Sequence, residues 1–179
     1  MAALTNKLQA LGARAKQTVM RQPNAVADLH KSVRDAVAHD EASLLTQPGP
    51  QIDALLDAMA AVDAAALNID GVQRPGACTY LGIVENDEYA IAAFVLAPHA
   101  TIPLHDHPGM TVLSRVISGS LRVTSFDVGA DGKARRSSSI MTSADGPAAL
   151  FPCQDNVHEF QAGAGGARDE LVDVVLAGK

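Results

Sequence analysis

The chain has 179 residues, 47% hydrophobic and 19% charged, which suffices for one domain with a buried core and is too short for two of ordinary size. Its formal net charge of −6 argues against binding along a phosphate backbone, which needs a basic face, so nucleic acid is not an expected partner. Two cysteines, Cys78 and Cys153, exclude a disulfide scaffold and any zinc or iron–sulfur centre built on several thiolates, and apolar runs such as Ala58–Val62 are too short for a bilayer.

Residues 1–27 carry Lys7, Arg14, Lys16 and Arg21 and no acid, so the acidic excess falls on the remainder. Two readings fit this segment. Leu4, Leu8, Leu11, Ala15 and Val19 follow a helical period and suit an amphipathic helix packed on the domain, which is the favoured reading. An arginine-bearing, acid-poor stretch also suits a mitochondrial transit peptide. No continuous apolar stretch marks a secretory signal, so a cytoplasmic location is expected, with the mitochondrial matrix as the alternative and reduced thiols in either.

Pro23 and Asn24 break the first helical pattern, and Val26, Leu29, Val33 and Val37 mark a second helix that ends near His39. After the loop Gln47-Pro48-Gly49-Pro50, a third stripe runs through Ile52, Leu55, Leu56, Met59 and Val62, with Asp53 and Asp57 on the wet side. Residues 1–70 therefore read as a helical region packed on a barrel. Gly71 to Gly76, with Pro75, is a linker where the period changes.

From Cys78 onward short strands alternate with turns. They are expected at Thr79–Ile83, Glu88–Leu96, Thr101–Leu104, Thr111–Ile117, Leu121–Phe126, Ser138–Thr142, Ala148–Phe151, Val157–Gln161 and Glu170–Leu176. Ser118-Gly119-Ser120 and Ala130-Asp131-Gly132-Lys133 supply turns. Gly163-Ala164-Gly165-Gly166 is also a turn, since Arg168 stands where a dinucleotide loop needs its last glycine. The fold class is mainly β, a jelly roll over residues 71–179 preceded by α-helices, with a monomer as the expected state.

The chemistry is concentrated in Pro103-Leu104-His105-Asp106-His107-Pro108-Gly109-Met110-Thr111. Side chains of an extended segment alternate faces, so His105 and His107 point one way and Asp106 the other. A third imidazole, His158, follows a Pro-containing strand much later, and a closed sandwich can return it beside the first pair. Three imidazoles at about 2 Å from a divalent ion leave coordination positions open. A lone His-x-His is commonly a pair of surface histidines. The rigid Pro-rich frame, Gly119 and the distant His158 raise this one above that.

Together these segments resemble the two halves of the cupin signature, a double-stranded β-helix with its metal inside the barrel. The cupin pattern usually places a glutamate where this chain has Thr111 and Val112, so the resemblance implies an all-histidine site. Neutral ligands leave the ion its full double charge and favour an anionic ligand such as a thiolate.

Ile102-Pro103-Leu104-His105-Asp106-His107-Pro108-Gly109-Met110-Thr111-Val112, followed by Gly119-Ser120-Leu121, is similar to the core motif of the thiol dioxygenases comprising cysteamine dioxygenase and the plant cysteine oxidases. Tyr80-Leu81 and Asn86-Asp87-Glu88-Tyr89-Ala90-Ile91 extend the likeness more loosely. The resemblance implies His105, His107 and His158 as ligands of iron(II), Asp173 as a catalytic residue near the iron pocket, and O2 as co-substrate. It further implies a small thiol or a peptide with an N-terminal cysteine as partner, converted to a sulfinic acid with the thiol supplying all the electrons. Asp173 equally suits a hydrogen-bonded strand residue. The family pattern continues past this strand with Pro-Pro-Tyr and a further strand, where this sequence reads Ala177-Gly178-Lys179.

That departure favours a second reading, a non-catalytic metal-binding cupin acting as a sensor or regulator; a zinc or manganese cupin is a third. Cys153 is expected to be a buried free thiol rather than a fourth ligand. His30, His39 and His99 are expected at the surface, and Arg115 and Arg122 in ion pairs on strand faces.

Overall fold

The computed structural model describes residues 25–39, 44–69, 72, 77–129, 131–152, 157–164 and 169–176. The helix expected over Leu4–Val19, Cys153, most of the Gly71–Gly76 linker and part of the Gly163–Gly166 turn lie outside the described residues. Among the described residues no helix is long and apolar enough to cross a membrane.

Among the described residues three α-helices precede the strands: α1 (Ala25–Ala38), α2 (Pro50–Ala60) and the single turn α3 (Ala64–Leu67). α1 buries Leu29, Val33 and Val37, one stripe at four-residue spacing, and its wet side carries the Lys31–Asp35 pair at 2.6 Å. α2 opens with Pro50, whose missing N–H costs nothing in the first turn, and buries Ile52, Leu55 and Met59. Asp63 caps α3 by accepting from Ala66 N–H at 2.7 Å, and Asn68, in the left-handed region, ends it.

Nine strands follow among the described residues: β1 (Cys78–Glu85), β2 (Tyr89–Leu96), β3 (Thr101–Asp106), β4 (Thr111–Ser118), β5 (Ser120–Val128), β6 (Ala134–Thr142), β7 (Ala148–Leu150), β8 (Val157–Ala162) and β9 (Asp169–Leu176). They form a five-stranded sheet, β1-β2-β9-β4-β7, and a four-stranded sheet, β3-β8-β5-β6. From β2 to β5 and again from β6 to β9 successive strands switch sheets, and every pairing is antiparallel, the jelly-roll order of a double-stranded β-helix. β3 and β6 run beyond the lengths expected from the sequence. β3 extends to Asp106, which carries His105 into the ladder.

Strand β9 shows why the helices are needed. Val172, Val174 and Leu176 pack with Ile91, Ala93, Val95 and Leu113 under the helical residues Leu29, Val33, Ile52, Leu55 and Met59. Leu171 instead joins Leu96, Val116, Leu121, Val123 and Phe160 between the two sheets. A strand buried on both faces reads as a nearly unbroken apolar run, and Glu170-Leu171-Val172-Asp173-Val174-Val175-Leu176 has that form, with Asp173 on the interior face beside Leu171.

Two single-residue expectations are corrected here. Arg115 makes no strand-face ion pair among the described residues: its Nη1 donates to the carbonyls of Met59 (2.8 Å), Ala60 and Val62 (2.6 Å), acceptors at and just beyond the end of α2. Nor does His30 lie free at the surface, since its Nε2 is 3.0 Å from the Tyr89 hydroxyl and links α1 to β2. Arg122, exposed, is absent from the ion pairs among the described residues and lines a surface cavity of about 200 Å³ with His99, Ser120 and Gln161. His39 and His99 are exposed, as expected.

Because Arg115 serves three helix-end carbonyls at once, Arg115→Met is expected to lower unfolding free energy by about 1–3 kcal/mol, read from the urea midpoint. Arg122→Met serves as the surface control and is expected to change it by less than about 0.5 kcal/mol.

Candidate metal centre

Three local features bring the histidines together. Pro103 sits in β3, an edge strand where its missing N–H breaks no ladder, and the register shifts between Ile102 and His105. Beyond that bulge His105 stands directly opposite His158 in β8, and Ser125 of β5 stands opposite His158 on its other side. The chain then reverses: Met110 N–H donates to the His107 carbonyl at 3.0 Å, and Gly109 takes φ +70°, a conformation side chains rarely adopt. His107 is thereby turned back toward the pair.

The ring centroids lie 4.6 Å (His105 to His158), 4.9 Å (His105 to His107) and 5.3 Å (His107 to His158) apart. One nitrogen from each comes within 4.8 Å of the others, a set that can hold a metal ion. It contains no carboxylate and no cysteine. His105 Nδ1 donates to the Pro103 carbonyl at 2.8 Å, which fixes the tautomer and leaves Nε2 with its lone pair. Phe160 walls the site, 5.1 Å from His158 and 6.5 Å from His105.

Electrostatics agree with this donor set. Burial pulls His107 down to about 3, helped by repulsion from His105 and His158. His105 is also lowered by burial, against the opposing pull of the Pro103 carbonyl and Asp106. Both imidazoles are therefore neutral at pH 7 and present lone pairs, the form that a divalent ion requires.

Asp173 is not in this donor set. It stands on the interior face of β9, in the facing sheet, paired across the ladders with Ser114 and Ala92. Burial raises its carboxyl to about 7, and the neighbouring Ser114 side chain works the other way. On the same face of the sheet Cys78 is pushed up to about 11 by burial and then by the Asp173 charge, so it remains a thiol. Tyr80 lies on the same wall, a residue the sequence pointed to only through a loose likeness. The usable signal was the alternation Cys78, Tyr80, Gly82, which places all three on one face of β1.

The PCO_ADO family model matches residues 51–176. A probable 2-aminoethanethiol dioxygenase of Dictyostelium discoideum is 40% identical over 93 residues, 47% of this chain and 43% of the relative. Plant cysteine oxidase 1 of Arabidopsis thaliana is 35% identical over 94 residues, 47% of this chain and 32% of the relative. The 2-aminoethanethiol dioxygenase of Homo sapiens is 32% identical over 117 residues, 50% of this chain and 43% of the relative. The matched stretch thus spans less than half the length of each of these relatives. Among solved structures, an oxalate oxidase in complex with glycolate aligns with TM-score 0.47 and 18% identity over 60% of this chain and 54% of that one. A cupin superfamily protein of Desulfitobacterium hafniense aligns with TM-score 0.43 and 13% identity over 59% of this chain and 82% of that one.

The depressed pKa values have a measurable consequence. An ordinary imidazole loses about threefold of its neutral population between pH 7 and pH 6, so three of them lose about 30-fold in metal affinity. Here His107 keeps its lone pair as the pH falls and His105 holds its own to lower pH than a free imidazole, so affinity measured by titration of divalent cobalt is expected to fall by less than about tenfold over that interval. A 30-fold fall would show ordinary, solvated imidazoles.

Proposed function

Because this chain belongs to the PCO_ADO family, we propose that it is an iron(II)-dependent thiol dioxygenase acting on a thiol of the cysteamine or N-terminal-cysteine type. The single observation that carries this reading is a carboxylate-free cluster of three imidazoles inside the barrel, His107 and His158 buried and His105 half-buried, with His105 and His107 held in the neutral form. Bound iron(II) would supply a dicationic centre that attracts a thiolate and activates dioxygen for reaction at sulfur.

The chain's own residues do the rest. His105, His107 and His158 would hold the ion without compensating its charge, which leaves the demand for an anion to the substrate. Phe160, fully buried, keeps water from two of the rings. In the overall reaction, R–S⁻ plus O2 gives R–SO2⁻: both S–O bonds form as the O–O bond breaks, and sulfur supplies all the electrons that dioxygen takes up. The thiol loses one proton and no external reductant is needed. A carboxyl on the facing wall, Asp173, is the titratable group presented to whatever enters.

The test is oxygen uptake after anaerobic iron(II) loading and admission of air, with cysteamine, cysteine and an N-terminal-cysteine peptide offered separately. Uptake with at least one thiol is expected, lowered about 100-fold or more in kcat/KM by His158→Ala. Tight iron binding with no uptake from any thiol would leave a metal-binding cupin without this activity.

A further inference from the structure

The turn between β2 and β3 holds a side chain where glycine would fit without strain. Ala100 N–H donates to the Ala97 carbonyl at 2.9 Å, closing a four-residue turn in which Pro98 is second and His99, at φ +64°, is third. Proline fixes the second position at negative φ, so the turn is type II, whose third position normally takes glycine or asparagine. A histidine there is strained, and strain of this kind gathers where the side chain itself is used. The His99 ring lies outside the metal centre. It lines the surface cavity of about 200 Å³, whose floor is drawn tight at Gly163: a Cβ there would lie 2.6 Å from Ser120 Oγ.

That cavity lies on the outer face of the four-stranded sheet. Thr101, Gln161, Arg122 and Ile140 form one cross-strand row over β3, β8, β5 and β6, while Leu121 and Val123, on either side of Arg122, point inward. The row of Ser125 and His158 lies three residues further along β5 and β8 and on the opposite face, about 10 Å away along the strands. Four side chains of the cavity can donate hydrogen bonds: Arg122, Gln161, Ser120 and His99. No acid lines it, and Arg122 meets no carboxylate among the described residues. Two acids stand nearby but outside it. Asp169 is buried beneath the contact of Ser120 with Gly163, where its Oδ1 accepts from Ser120 N–H at 2.8 Å, and Glu159 stands across from Thr124 in the next row of the same face. A concave patch of donors with an unpaired guanidinium suits an anion. The Arg122 fork takes two oxygens at once, and Ser120, Gln161 and His99 remain for a third. A carboxylate has only two; a phosphate monoester has three, carried on a carbon stem. Ile140, 51% exposed, gives that stem an apolar wall.

We propose that this cavity is a second ligand site, for the phosphate group of a small monoester, with Arg122 clamping two oxygens, His99 and Ser120 donating to the third and Ile140 packing on the stem. The site is separate from the three histidines and does not depend on what they bind. It gives the strained position of His99 a purpose that the turn alone does not.

The experiment is calorimetric titration of the full chain at low salt, metal-free and cobalt(II)-loaded in parallel, with phenyl phosphate, inorganic phosphate and benzoate. Phenyl phosphate is expected to bind both forms alike with a Kd of about 1 mM or below, inorganic phosphate about threefold or more weaker for want of the stem, and benzoate about tenfold or more weaker for want of the third oxygen. Arg122→Met is expected to lower phenyl phosphate affinity about tenfold or more, and Arg122→Lys, which keeps the charge without the fork, about threefold. His99→Gly is expected to lower it about threefold or more while the urea midpoint holds or rises, because glycine adopts positive φ freely. A histidine kept only for packing would instead show a lower midpoint and unaltered binding, and that result would overturn its role. Both positions are exposed, so the variants are expected to fold. No binding of either phosphate at about 10 mM, or binding that Arg122→Met and His99→Gly leave unchanged, would overturn the site. Binding that appears only after cobalt(II) loading would place the anion on the metal and overturn it as well. Benzoate binding as tightly as phenyl phosphate would overturn the phosphate class.

Discussion

The antiparallel pairing of β3 with β8 is the constraint on which the rest of the structure depends. It sets His105 directly across from His158, and the bulge at Pro103 determines which face of β3 reaches the barrel interior. A register slip of one residue would send His105 outward and leave Asp106 in its place. The turn at Gly109 then needs only to bring His107 back over the pair. No carboxylate joins the three imidazoles, and desolvation keeps His105 and His107 neutral. Phe160 packs against His105 and His158 and walls that side of the site.

The barrel interior is divided along its length. Leu96, Val116, Leu121, Val123, Phe160 and Leu171 fill one end as an apolar plug. Toward the other end the interior residues become His158, Ser125, Asp173, Ser114, Gly82 and Ala92, small or polar. The plug supplies stability, since each buried Leu or Phe contributes about 1.5–3 kcal/mol relative to exposure, and that stability offsets the cost of burying imidazoles and a carboxyl. Helices α1 and α2 cover the outer face of the five-stranded sheet, and Arg115 ties the end of α2 to β4. The helical layer is thus part of what holds the metal end in place.

Much of this was legible in the sequence because it followed from short-range rules. Nine strands were readable from period-two patterns and glycine turns, and helices α1 and α2 from their apolar stripes. His105 and His107 followed from alternation. The approach of His158 followed from the cupin likeness and a closed sandwich rather than from any local pattern. What escaped was set by tertiary contacts. Arg115 reads as an ordinary strand-face cation until the end of α2 is found beside it, and His30 reads as a helix-surface residue until Tyr89 arrives from β2. Tyr80 and Gly82 belong to the same class: a glycine within a strand signals close approach, but only the folded barrel shows that a tyrosine ring fills the gap.

The most direct measurement is the isotopic mass of the product formed from cysteamine under heavy-isotope dioxygen, by iron-loaded wild-type protein. A sulfinic acid carrying both labelled oxygen atoms on sulfur, and absent with His158→Ala, is the outcome that the triad and its proposed chemistry require. A disulfide, or a product whose oxygen comes from water, would contradict the central claim that this barrel is a thiol dioxygenase.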